Sequence, residues 1–158
     1  MDEKYEIDRL DRQILKSLRQ DARAPYLDIA RKLKVSGGTI HQRMDRLKKL
    51  EIVTGSQLKI DYSKLGYDVT AFLGIHLQST RDLTKVIEQM KKLEEIIEVY
   101  YTTGNYALLI KVCTLSIKDF HLFLSEKLQN LQEIQSTESF ICLDNTIMRD
   151  VPIDEMSK

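Results

Sequence analysis

The apolar residues of this chain change their spacing once, near residue 69, and that change bounds what the chain can fold into. Up to Leu50 they recur every three or four positions: Leu10, Ile14, Leu15 and Leu18, then Leu27, Ile29, Ala30 and Leu33, then Ile40, Met44 and Leu47. One apolar stripe per 3.6-residue turn predicts three short amphipathic helices. Asp8, with Asp11 three residues on, caps the first. Residues 21–25 break it, and Pro25 leads into the second. Gly37-Gly38 relieves the backbone in the corner before the third, and Ser36 is its N-cap. From Val69 onward β-prone and helical runs alternate: strand 69–77, helix 82–93, strands 96–103 and 106–113 about a Gly104-Asn105 turn, helix 117–131, strand 136–143. That order, β-α-β-β-α-β, is the split βαβ, ferredoxin-like arrangement. Between the two regions, Thr54-Gly55-Ser56 separates short β-prone pieces and predicts a small wing or a strand leading out. The expected fold is therefore α+β: a winged helix-turn-helix domain over 1–60, a linker over 61–68, and a ferredoxin-like βαββαβ domain over 69–158. Within the last, residues 144–158 read as a polar tail in which Ile147 and Met148 could make a short edge contact.

Charge sharpens the division. The chain is neutral overall, but residues 1–62 hold 14 Lys and Arg against 10 Asp and Glu, while residues 63–158 hold 10 against 14. Within 29–49 there are seven basic residues and one acidic. Such clustering fits a polyanion better than a merely solvated helix face. With Ile40, Met44 and Leu47 turned inward, Thr39, Gln42, Arg43, Arg46 and Lys49 fall largely on the other faces of the third helix. Small residues in its first turn permit close approach to a DNA groove. Ser36, Gly38, Thr39, His41, Gln42, Arg43, Arg46 and Lys49 are the candidate DNA contacts. Arginine can read guanine and glutamine adenine; Lys48, Lys49 and Arg31 suit phosphates, which position without specifying.

Other chemistries find little support. His41, His76 and His121 show no metal-ligand or triad spacing. No P-loop, GxGxxG or GxSxG is present. Cys113 and Cys142 sit singly in apolar runs and are expected to be buried small hydrophobes. Neither a catalytic centre, a metal nor a cofactor is expected. No apolar run approaches the roughly 20 residues of a membrane span, and the acidic N-terminus lacks a signal core, so the expected location is cytoplasmic.

The opening region resembles the N-terminal domain of the Lrp/AsnC (feast/famine) transcription regulators at Asp8, Asp11, Ile14, Leu15, Leu18, Arg23, Ser36, Thr39, Ile40, Arg43, Met44, Leu47 and Ile52. The family's usual glycine before that isoleucine is Glu51 here. The resemblance runs through the whole chain, and around residues 66–77, 98–112 and 134–149 it looks most like the asparagine-responsive branch. It implies a DNA-binding regulator rather than an enzyme, with a C-terminal domain that senses an amino acid and drives assembly. The implied effector is asparagine, with leucine or lysine as alternatives, and a metabolic sensor binding a protein partner as the rival reading. The implied assembly is a dimer built through the sheets, four dimers closing into an octamer, with double-stranded DNA as partner and no membrane. The effector positions it implies are Tyr100, Thr102, Thr103, Gly104 and Tyr106, with Gln135, Ser136 and Thr137. Ala107 replaces an aspartate found in many members.

Overall fold

In the computed structural model, residues 6–153 are described. They divide into two compact units, 6–59 with 149–153, and 60–148.

The first unit is three helices: α1 (Arg9–Gln20), α2 (Tyr26–Leu33) and α3 (Gly37–Lys49). Ile14, Ile29, Ala30, Ile40, Met44 and Leu47 form its core. Asp8 and Asp11 make the expected reciprocal capping box on α1. Pro25 is the N-cap of α2, where a missing N–H costs no helical hydrogen bond. The corner before α3 differs from expectation. Lys34, not a glycine, takes the left-handed conformation (φ 56°) that ends α2. Gly37 and Gly38 are already the first turn of α3. A Cβ on Gly37 would lie 3.2 Å from Leu27 Cδ2, so the glycine lets α2 and α3 close on each other. Leu27, expected in the apolar stripe, is otherwise 62% exposed.

Past Leu50, Glu51 also has positive φ (55°), at the position where the family carries glycine. A side chain there costs roughly 1 kcal/mol in backbone strain. Glu51→Gly is expected to stabilise the unit by about 0.5 kcal/mol, the relief being partly offset by a more flexible unfolded chain; urea denaturation reads it directly. The expected wing is absent. Residues 53–60 carry no strand pairing, and their turn-prone Thr54-Gly55-Ser56 has no paired flanks.

The second unit begins in what the sequence suggested was a linker. Residues 61–68 are folded: Asp61 caps a short 3-10 turn (Tyr62–Leu65), and Gly66 ends it at φ 88°. Then follow β1 (Val69–Leu77), α4 (Leu83–Met90), β2 (Ile96–Tyr101), β3 (Leu108–Thr114), α5 (Ile117–Leu122) and β4 (Ile134–Ile141). The sheet order is β2-β3-β1-β4, antiparallel throughout, as the β-α-β-β-α-β order requires. One face packs Val69, Ala71, Leu73 and Ile75 and Leu108, Ile110 and Val112 under Val86, Met90, Phe120, Phe123 and Leu128 of the helical layer. α5 runs on as a π-helical turn (Phe123–Leu128). Phe123 and Leu128, five residues apart, are both buried, which the wider π turn permits.

The other face carries Thr70, Phe72, Gly74 and His76 of β1, flanked by Leu109, Lys111 and Cys113 and by Ser136, Glu138 and Phe140. Cys113 and Cys142 are only half-buried, not core residues. Ile147 and Met148 are about 70% exposed and make no edge strand. Residues 149–153, expected with the second domain, group with the first unit instead, because Arg19 holds Asp150 and Val151 there.

Candidate functional sites

α3 owes its geometry to its cap and its core. Ser36 Oγ accepts from the Thr39 amide at 3.1 Å and lies 2.8 Å from Thr39 Oγ1, so both hydroxyls are engaged in the first turn. With Ile40, Met44 and Leu47 buried, Ser36, Gly38, His41, Gln42, Arg46 and Lys49 are exposed and Thr39 is half-buried. The His41 ring packs edge-on against Tyr26 of α2, with centroids 4.7 Å apart. That contact restrains His41, while Gln42 lies one residue on.

Arg43 is placed differently from the other candidates. Its guanidinium donates to Asp8 and, at 3.1 Å, to Asp11 Oδ1, both at the start of α1. Asp11 is fully buried and Arg43 is 29% exposed. The two carboxylates that cap α1 thus also receive the cation of α3, locking the first helix to the third. Arg43 thus differs from the other candidates in holding Asp8 and Asp11 through one guanidinium nitrogen, Nη1, a structural role the sequence reading did not include. The pair shifts both partners. Burial works to raise the Asp8 carboxyl, but the Asp11 amide and Arg43 outweigh it, leaving it below its ordinary 3.8. The Asp8 bonds, outweighing burial and reinforced by Asp11, hold the Arg43 guanidinium charged. Because the folded state binds the Asp8 proton less readily than the unfolded chain, its stabilisation is complete above pH 3.8 and is lost as pH falls below that. Thermal unfolding of the first unit is expected to be flat in this contribution from pH 7 to 5 and to drop only in the acid limb.

In the second unit the effector candidates surround the β2–β3 connection. It is wider than the two-residue turn expected from Gly104-Asn105. Residues 102–107 are non-strand, closed by Thr102 N–H to Ala107 O at 3.1 Å and by the Thr102 hydroxyl to Tyr106 O. Thr103 and Gly104 are exposed, and a Cβ on Gly104 would meet nothing. Tyr106 folds back over the open sheet face. Its ring lies across Gly74, where an added Cβ would come within 2.5 Å of Tyr106 Cγ and Cδ1. It also sits 5.1 Å from the His76 ring, and its hydroxyl donates to Glu138. That bond, with burial, raises the Tyr106 phenol, so it remains a protonated donor at neutral pH.

Register places Tyr100, Leu109, Gly74 and Glu138 on one rung across four strands, so Tyr100 and Glu138 are about 14 Å apart. The Tyr100 hydroxyl donates to Glu98, which also accepts from Lys111 Nζ at 3.0 Å. The Tyr100 bond, then Lys111, hold the Glu98 carboxyl below its usual range against burial. Ser136 pairs with His76 on this open face; Thr137 pairs with Ile75 and belongs to the opposite one. Gln135 is exposed beside them. The structure therefore groups Tyr106 and Ser136 with three residues the sequence reading passed over: Gly74, His76 and Glu138. A glycine at the centre of an otherwise bulky strand was the available signal, since a strand interior tolerates it best where something approaches closely. Among the described residues no His, Cys, Asp and Glu group could hold a metal, and no helix is long and apolar enough to cross a membrane.

Comparison with known proteins bears on both units. The AsnC-type helix-turn-helix domain matches residues 7–48 and the Lrp/AsnC ligand binding domain matches residues 70–152. Regulatory protein AsnC of Haemophilus influenzae is 46% identical over 147 residues, covering 93% of this chain and 98% of that one. Regulatory protein AsnC of Escherichia coli K12 is 44% identical over 149 residues, covering 94% and 98%. The solved structure of E. coli AsnC superposes with a TM-score of 0.90 at 43% identity, covering 93% of this chain and 99% of that one. With a helix-turn-helix unit, a four-stranded ligand-binding unit and relatives matched over nearly their whole length, this chain belongs to the Lrp/AsnC family of DNA-binding transcription regulators and is not an enzyme.

Proposed function

We propose that this regulator reads specific DNA sequences with the exposed face of α3, and that free asparagine modulates the binding from the region of the β2–β3 connection. The observation that carries the DNA half is the division of α3, in which Ile40, Met44 and Leu47 serve the core and leave Gln42, Arg46 and Lys49 exposed. Gln42 is the base-reading candidate. Lys49 suits a phosphate. The effector half rests on the 46% identity to AsnC and on the chemistry around the connection. An amino acid presents an ammonium, a carboxylate and a side chain. Glu138 offers charge for the first, hydroxyls of Thr103 and Ser136 for the second, and the Gln135 amide for an asparagine side chain.

The open sheet face, with Tyr100 50% and Phe140 47% exposed, suits a second copy as cover. A dimer that reads successive major grooves needs its two α3 helices about 34 Å apart. Four such dimers in a ring complete the assembly we propose.

Substitution separates the roles. Lys49→Ala is expected to weaken binding to all duplexes alike and to lower the salt slope by about one. Gln42→Ala should instead cost about 1–3 kcal/mol on the cognate duplex alone. Equal losses on cognate and scrambled duplexes for both variants would defeat the assignment. Calorimetry with the twenty amino acids tests the effector: heat from leucine or lysine and none from asparagine would redirect it.

A further inference from the structure

Beside α1 in the first unit lies a cleft of about 810 Å³. Its walls include Leu15 and Leu18 of α1 and Ile52 and Val53 just beyond α3, and Ile153 reaches into it from the C-terminal end of the chain. Ile153 is half-buried, whereas the neighbouring Val151 is 82% exposed. The backbone before it is held as well: Arg19 donates to the Val151 carbonyl, and its Nε lies 3.9 Å from Asp150 Oδ2. That ion pair is exposed and contributes little alone. The anchor is the combination of a fixed carbonyl, a proline that limits the backbone at 152, and a half-buried apolar side chain in a cleft of mixed lining that includes Leu15, Leu18, Ile52 and Val53.

We infer that the segment Asp150–Ile153 docks on the helix-turn-helix unit at the edge of this cleft and acts as a strap. The consequence concerns regulation. The helix-turn-helix unit is joined to the ligand-binding unit by chain at residue 60. The strap adds a second attachment, continuous with β4 through residues 142–148. β4 carries Ser136 and Glu138 of the effector region. A change in β4 on effector binding is thereby passed to the unit that holds α3. This step rests on the effector reading above; the docking itself does not.

The native 158-residue chain is compared with Ile153→Asp, Arg19→Ala and a chain ending at Met148. The first readout is amide hydrogen exchange at Ile52 and Val53, whose N–H groups donate to Leu47 O at 3.0 and 3.2 Å within the groove wall. Exchange there is expected to rise at least about fivefold in all three variants and to fall again when a peptide of residues 149–158 is added to the shortened chain. The second readout is the ratio of DNA dissociation constants with and without asparagine. It is expected to move towards one in the variants while DNA binding without asparagine persists. Exchange unchanged in Ile153→Asp and Arg19→Ala overturns the docking. Faster exchange with an unchanged ratio overturns the coupling. Should no amino acid give heat with native protein, the effector reading fails, and the exchange result still decides the docking.

Discussion

Replacing Arg43 by alanine is expected to destabilise the helix-turn-helix unit by about 2–3 kcal/mol while leaving the salt slope of DNA binding unchanged. The first half follows from Asp11. Its side chain is fully buried and Arg43 is a cation bonded to it, so truncation leaves a desolvated carboxylate without that guanidinium. Breaking a buried pair from one side costs about 3–5 kcal/mol; the partial exposure of Arg43 and Asp8 sets the lower figure here. The second half follows from the same bonds. A cation already balanced by Asp8 and Asp11 adds little charge to a phosphate contact, so its loss is expected to release no fewer counterions on binding. Arg43→Lys keeps the charge but places a more strongly hydrated ammonium beside the two carboxylates, and its stability should fall between the two. Denaturation and salt titration on folded protein check both halves. A salt slope lowered by one, or lost discrimination between duplexes with stability intact, would return Arg43 to the DNA-reading face.

Replacing Gly74 by alanine is expected to disable the effector region at a cost of about 1–3 kcal/mol in stability. The new methyl would stand 2.5 Å from Tyr106 Cγ, close to that residue's own backbone, where rotation of the ring gives little relief. Tyr106 must then leave the sheet, breaking its bond to Glu138 and its packing on His76. Asparagine binding should weaken at least tenfold, about 1.4 kcal/mol. Tyr106→Phe is the control: the ring stays on Gly74 and only the hydroxyl bond is lost, so its stability cost should be far smaller. Thermal unfolding and calorimetry on both variants read the difference. Equal effects of the two would show that the ring's position over Gly74 does not matter.

What the sequence revealed follows from which interactions are local. Ile40, Met44 and Leu47 declare α3 because their spacing is a property of one helix, and Val69–Leu77 declares β1 by its β-prone run. The positive φ at Lys34 leaves no compositional mark, whereas Gly37-Gly38 three residues on reads as the corner. The role of Arg43 depends on carboxylates 32 and 35 residues earlier, and no periodicity links them. Tyr106 over Gly74 is likewise a contact between a loop and a strand 32 residues away. The missing wing reflects how little a turn signal means without a partner strand to pair with.

Coupling of DNA recognition to an amino acid within one chain is open to direct measurement. Titration of the 158-residue chain onto palindromic and scrambled duplexes, with and without asparagine, between about 50 and about 200 mM salt, tests it most directly. Preference for the palindrome, affinity falling steeply with salt, and an asparagine-dependent shift of about 5–150-fold are predicted. Binding that is equal on both duplexes, insensitive to salt and unmoved by asparagine would contradict it.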